Sequence, residues 1–215
     1  GYPAIVFSSN DVRSLTSDLR FLFIGRFFKH RPPLNFLKKA LEAIRFAGTF
    51  IVLLNHSNFI FRFPSEEEYY IFWARRTWSF GGCFIKVLKW DPDFYPNIES
   101  PIVPIWIGLP GLSLHLFKQV SLFPISSLIG NPLKLDHATS HLSRPSVACV
   151  CTEVDVSQNH PSQIWIQNRD SSFYQNVFYE ELPAYCSACH KQGHYLNDCG
   201  FKAEHPLVHK KKWIE

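Results

Sequence analysis

The chain has 215 residues, which suits one mid-sized domain or a domain with a small appendage. It is 46% hydrophobic with 20 Phe and only 19% charged, which excludes a disordered chain, whose signature is low hydrophobicity with high net charge. A net charge of +4 and a pI near 8.7 permit contact with phosphate, but they fall short of the basicity that marks a nucleic-acid binder by itself.

The residues before Leu19 carry Ser, Thr and Asp without period and read as a loose lead-in. Leu19 to Phe27 is a β-prone aromatic run that ends at Lys29 to Pro33, with Pro where a helix starts. From Leu34 the spacing is helical: Leu34, Leu37, Leu41 and Ile44 share a face, and Gly48 stands where a C′ glycine belongs. Thr49 to Leu54 and Phe59 to Phe63, separated by a polar turn from Asn55 to Asn58, predict a hairpin. Ser65 with Glu68 three residues on is a capping box, so a second helix should carry Tyr69 to Trp78 and close at Gly81 and Gly82. Cys83 to Trp90 supplies a fourth strand. The order β-α-β-β-α-β, over 19–90, is the split βαβ arrangement also used by RNA-recognition motifs.

Asp91 to Pro101 is rich in Pro and Asp and marks a boundary. A second block, 102–157, should begin with a strand at Ile102 to Leu109. A helix around Leu114 to Ile129, kinked or broken at Pro124, and a strand at Leu133 to Asp136 follow. Val147 to Val156, Ser162 to Gln167 and Phe173 to Glu180 alternate like antiparallel strands, so the class is α+β rather than α/β. The expected organisation is one α+β domain over 15–157, connecting strands over 158–181, a small metal module over 182–200 and a basic tail over 201–215.

The module is where chemistry concentrates. Cys186, Cys189, His194 and Cys199 follow the pattern C-x2-C-x4-H-x4-C. Three thiolates and one imidazole satisfy tetrahedral zinc and leave no open position, which predicts one structural Zn2+ rather than a catalytic one. Two residues between Cys186 and Cys189 let a tight turn aim both sulfurs inward, and Gly193 permits a positive φ just before His194. So short a loop has no core of its own and depends on the metal. His190 and His205 lie off the ligand spacing. Cys83, Cys149 and Cys151 sit singly among apolar residues and read as buried thiols.

The segment from Tyr179 through Leu182-Pro183-Ala184-Tyr185 to Cys199 resembles the CCHC zinc knuckle of plant LINE-type (non-LTR) retrotransposon accessory proteins, in which a domain of unknown function precedes the knuckle. Phe80-Gly81-Gly82, Trp90-Asp91-Pro92, Pro104-Ile105-Trp106-Ile107-Gly108-Leu109-Pro110 and Ile129-Gly130-Asn131-Pro132-Leu133-Lys134-Leu135-Asp136 are similar to that family's segments in the same order. The resemblance covers about Leu15 to Cys199. It implies a nucleic-acid-binding accessory protein of the kind encoded by the first reading frame of such elements, or a host protein descended from one. Retroviral-type knuckles carry an aromatic residue after the first Cys and a Gly after the second. Ser187 and His190 stand there in this chain, which leaves Tyr185, His190 and Tyr195 to stack on bases.

Lys191 within the knuckle, and the run Lys210, Lys211, Lys212 with Trp213 beyond it, offer cations and a further aromatic for single-stranded RNA or DNA. Arg26, Lys29, His30, Arg31, Lys38 and Lys39 cluster at the first strand-helix junction and read chiefly as a solvated face. Phe21, Phe23, Phe59, Phe61 and Phe63 could stack bases on a sheet, but most of them must fill the core. Glu66, Glu67 and Glu68 suit the positive end of a helix dipole, and Asp91 and Asp93 do not make a convincing magnesium site. No nucleophile elbow, P-loop, polymerase palm carboxylate pair or zincin motif is present, so no enzyme is expected.

Apolar stretches are broken by Arg20, Arg26, Asn55 and Arg62 before reaching the roughly 18 residues of a membrane helix, so a soluble chain, not membrane-bound, is expected, and the nucleic-acid reading places it in the nucleus or cytoplasm, not among secreted proteins. Gly1 in first place and the lack of any Met suggest a fragment of a longer product, so a signal peptide cannot be judged. The reading is zinc-dependent binding of single-stranded nucleic acid. The alternative is a protein-interaction or self-association module capped by the knuckle.

Overall fold

The computed structural model describes residues 2–28, 30–92, 94–95, 97–168 and 171–200. The class is α+β, with antiparallel sheets and few helices. Before the first strand, α1 (Ser9–Leu15) is held by a reciprocal cap: the Asp11 N–H donates to Ser8 Oγ, and the Ser8 N–H donates to the Asp11 carboxylate. None of its residues is buried. The lead-in is therefore ordered by local capping rather than by packing.

The first sheet is built from β1 (Leu22–Phe27), β2 (Phe50–Leu53), β3 (Asn58–Arg62), β4 (Thr77–Phe80) and β5 (Cys83–Lys89) in the order β2-β3-β1-β5-β4. Set β4 aside and the order is that of the split βαβ unit, with α2 (Leu34–Ala43) and α3 (Glu66–Ala74) as crossovers. Phe23, Phe27, Phe59, Phe61, Ile85 and Val87 point to the helices and pack with Leu37, Leu41, Phe72 and Trp73. Because strand side chains alternate, Ile24, Arg26, Lys86 and Leu88 occupy the opposite face.

Two details depart from the sequence expectation. Gly48 does not cap α2. The helix ends in a Schellman motif, in which the Phe46 N–H bonds the Leu41 carbonyl and the Arg45 N–H the Glu42 carbonyl, with Arg45 in the left-handed position at φ 84°. Burying Phe46 against the core makes this early exit worthwhile despite the strain at a non-glycine residue. Likewise, Trp78 is not helical. Gly81 and Gly82 both have positive φ, at 57° and 78°, and join β4 to β5 as a two-residue hairpin turn in which Phe80 faces Cys83. Thr77 to Phe80 alternates exposed and buried residues as an edge strand should.

The second sheet has the order β11-β6-β8-β7, from β6 (Ile102–Pro110), β7 (Asn131–Leu135), β8 (Val147–Asp155) and β11 (Phe178–Tyr179). Between β6 and β7 the chain forms a single turn at Leu114–Leu116 and then α4 (Gln119–Ser127). The break falls before Gln119, and Pro124 lies within the helix. Asp136 caps the short α5 (His137–Ser140) by accepting from the Thr139 N–H. The connecting segment forms a hairpin of β9 (Gln163–Asn168) and β10 (Ser171–Asn176).

β8 is buried on both faces, which explains its nearly unbroken apolar run. Ala148, Val150 and Val154 join a second core with Ile105, Ile107, Leu109, Leu122 and Ile164. Cys151 turns the other way, into the first core. There the Trp73 indole N–H donates to Glu153 at 3.0 Å, and Lys89 reaches the same carboxylate at 2.7 Å. A Cβ on Gly130 would run into the Glu153 backbone carbonyl, so this position needs Gly for close approach. The two sheets thus share a seam at Glu153. No helix of the described residues is long and apolar enough to cross a membrane.

Candidate metal centre and its docking on the sheet

The chain enters the module as β12 (Tyr185–Cys186), which pairs with β13 (Lys191–Gln192). Residues 187–190 turn between them. The His190 N–H closes on the Cys186 carbonyl at 2.9 Å, with His190 itself at φ 52°. Gly193 sits at φ 109°, and its N–H bonds the Ala184 carbonyl at 2.8 Å, which swings His194 back toward the turn. A single 3-10 turn at Leu196–Asp198 then returns Cys199. Local backbone turns therefore bring the four residues toward one another.

Their ligand atoms, the sulfurs of Cys186, Cys189 and Cys199 and a ring nitrogen of His194, all lie within 4.8 Å of one another. His194 Nε2 approaches Cys189 Sγ at 3.3 Å. A tetrahedron with metal-sulfur bonds of about 2.3 Å has edges of roughly 3.8 Å, so the four atoms surround a space of the right size for one ion. Backbone N–H groups of Cys189 and Ala188 beside the Cys186 sulfur hold its thiol below the ordinary range, whereas burial and the neighbouring sulfurs push the Cys189 thiol up to about 11, because crowded thiols do not all ionise without a cation between them. The cluster can hold one metal ion, and the all-protein donor set leaves no fourth position open for substrate.

His190 does not join this set. Its Nδ1 lies 3.4 Å from the Tyr185 hydroxyl, so the ring leans on Tyr185 instead. Lys191 and Tyr195 are exposed on the module. Lys210, Lys211, Lys212, Trp213 and His205 lie outside the described residues, as do Lys29 and Asp93. Among the sheet aromatics, Phe23, Phe59, Phe61 and Phe63 are buried in the first core and Phe21 packs beside it, so none of these presents a free ring from the sheet. Glu66, Glu67 and Glu68 occupy the first turn of α3 behind the Ser65 cap.

The feature that sequence reasoning missed is Glu99. It lies in the segment read as a boundary, yet it is buried at 6% exposure. Its Oε1 accepts from Arg26 on β1 at 3.0 Å, and its Oε2 accepts from Lys86 on β5 at 2.7 Å and from the Gln192 backbone N–H at 2.9 Å. Its own N–H donates to the His190 carbonyl at 2.8 Å, and its carbonyl accepts from the Tyr185 hydroxyl at 3.2 Å. The Gln192 side chain adds a bond to the Ser100 carbonyl at 2.9 Å. One buried carboxylate thereby clamps the metal module to the helix-free face of the first sheet. Arg26, read from sequence as part of a solvated basic face, is instead engaged in this clamp.

Residues 15–98 match the family model described as a domain of unknown function, DUF4283. No curated protein and no solved structure matches the chain. The matched region runs from the end of α1 through the whole first sheet and stops one residue before Glu99.

Proposed function

We propose that the protein binds single-stranded nucleic acid through a zinc knuckle carried on an α+β domain, as an accessory protein of retrotransposon descent. The observation that carries this reading is the closed Cys3His set, whose ligand atoms already converge on a module otherwise rich in exposed polar and aromatic groups. Such a set favours Zn2+ in a structural role, because soft thiolates select it and no open coordination site remains for catalysis. The metal would fix backbone N–H groups, Tyr185 and His190 against an unpaired strand, while lysines supply the salt-dependent part of the affinity. The retrotransposon part rests on the resemblance along the chain and on the DUF4283 match.

A gel-shift titration with a single-stranded RNA, with and without chelator, tests the proposal. Binding should be lost on chelation and restored by Zn2+. Equal binding in both conditions would refute the role of the metal. A second reading, a protein-interaction module, is favoured by the β9–β10 hairpin, which exposes Trp165 and Tyr174 at 51% and 68% as a cross-strand aromatic pair.

A further inference from the structure

The linker before β6 and the metal module face each other across an open cleft of about 630 Å³. Phe94, Tyr95 and Ile98 of the linker, Leu88 of β5, and Tyr185 and His190 of the module all contribute to its lining. Cavities that hold small ligands run to about 300–1,000 Å³, so a base with its sugar fits.

The chemistry of the lining selects the kind of occupant. Both oxygens of Glu99 are taken by Arg26, Lys86 and the Gln192 N–H. Lys89 is held by Glu153 at 2.7 Å, and Asp91 is engaged as well. A phosphate or carboxylate would therefore find its counter-charges already committed. What remains on offer is mainly ring surface, since the neutral Ser157 and Gln158 side chains of the lining already bond Asp155 and each other. A planar neutral heterocycle matches such walls, since every base has a face to stack and edges to hydrogen-bond. Tyr185 is fixed in place by its bond to the Glu99 carbonyl, which lowers the ordering cost of stacking on it. Tyr95, 45% exposed, contributes a second phenol ring to the same lining.

We infer that this cleft takes one base of a single-stranded nucleic acid, so that linker and knuckle form the reading platform together. This rests on the nucleic-acid reading above and assigns Phe94 and Tyr95, which lie outside the knuckle, to recognition. It also supplies the ring surface that Ser187 fails to provide after the first Cys.

The test uses the 215-residue chain loaded with Zn2+ and a single-stranded RNA carrying 4-thiouridine. Cross-linked peptides are mapped by mass spectrometry, and affinities are measured for the parent, Tyr95→Ala and Tyr95→Trp. Support requires cross-links to the peptide containing Phe94 and Tyr95 or to Tyr185, together with an affinity loss in Tyr95→Ala of about 5- to 150-fold, the range for one base-aromatic stack. Tyr95→Trp should keep the parental affinity. Because Tyr95 is half exposed, an unchanged zinc content and melting temperature will show that the Ala variant is folded. RNA binding with parental affinity in Tyr95→Ala, or cross-links confined to Tyr195 or to residues 201–215, would overturn the cleft while leaving the proposed function standing. Loss of self-association in Tyr95→Ala without change in RNA affinity would assign the cleft to a protein contact and overturn the inference equally. No RNA binding by the parent chain would remove both readings.

Discussion

The six cysteines occupy three chemical environments, and each follows from what surrounds the sulfur. In the cluster with Cys189 and Cys199, Cys186 accepts from backbone N–H groups and from the other two thiols, so its own thiol is pulled down while that of Cys189 is pushed up. Cys151 lies at the seam between the two sheets, fully buried, and burial pushes its thiol up to about 12. Cys149 is half-buried on the same strand beside Arg144 at 2.9 Å, and burial again outweighs that guanidinium, so its thiol is raised. Cys83 is half-buried at the hairpin before β5. Alkylation at pH 8 in the zinc-loaded chain should therefore modify Cys83 first and Cys151 only on unfolding, as peptide mass spectrometry can follow. The sign of the pH effect is fixed as well. A thiol raised in the folded state stays protonated while the unfolded chain loses its proton above about pH 8.5, so the folded state is disfavoured as pH rises from there toward 12. One such group gives a slope of about 1.4 kcal/mol per pH unit, and Cys151→Ala should remove its share of the alkaline loss seen in denaturant titrations between pH 9 and 11.

At the level of elements, the linker 91–101 holds the molecule together where its composition suggests a mere break. Glu99 faces two cations that are themselves mostly buried, with side-chain exposures of 20% for Arg26 and 18% for Lys86. Removing one member of a buried ion cluster leaves the rest desolvated and uncompensated, at a cost of about 3–5 kcal/mol. Glu99→Ala should thus destabilise the fold by about that amount in urea titration and release the module from the sheet. In hydrogen exchange the Gln192 amide would then lose protection while the Gly193 amide, bonded within the module to Ala184, keeps it. Equal protection of Gln192 in the variant and the parent would show that Glu99 is not the clamp. The same residue shows what a sequence makes legible. The Cys3His ligands fall within fourteen residues, and local backbone turns converge them, so spacing was enough. The strands of the split βαβ unit were legible because each carries its own apolar alternation. Glu99 was not, because its partners Arg26 and Gln192 lie 73 and 93 residues away and no local pattern signals a long-range ion cluster. Trp78 was misplaced for a related reason: its apolar character fits a helix face as well as an edge strand, and the Gly81-Gly82 turn decides between them.

For the whole molecule, docking of the module means that a metal ion held there would be thermodynamically linked to the domain without the two forming one core. Neither hydrophobic core includes Tyr185 or the residues around the ligands, so chelation should leave most of the circular dichroism in place. It should nonetheless remove the hydrogen bonds from Gln192, Tyr185 and Glu99 across the interface, at about 0.5–1.5 kcal/mol each. For a chain of this size 1 kcal/mol shifts Tm by about 2–4 °C, so losing these four bonds, about 2–6 kcal/mol in all, should lower Tm by about 4–24 °C in a calorimetric scan with chelator. An unchanged Tm would mean that the module hangs free.

If the protein binds nucleic acid as proposed, the same docking restricts where a strand could lie. In RNA-recognition motifs the helix-free face of the sheet stacks the bases. Here the centre of that face carries the Glu99 clamp between Arg26 and Lys86, so an incoming strand is left with the module, the cleft beside it and the basic tail. Under the proposed function the tail would act electrostatically, and salt separates that contribution from the rest. If Lys210, Lys211 and Lys212 each neutralise one phosphate of a single strand, replacing all three by Ala should reduce the slope of log K against log salt by about 2, since each contact contributes about 0.7. His194→Ala should instead weaken binding at every salt concentration with little change in slope, because it dissolves the surface that presents the strand without removing a cation. Parallel lines for the parent and the triple-Ala variant would show that the tail makes no phosphate contacts. An unchanged affinity in both variants would move the function to the exposed Trp165–Tyr174 hairpin and to a protein partner.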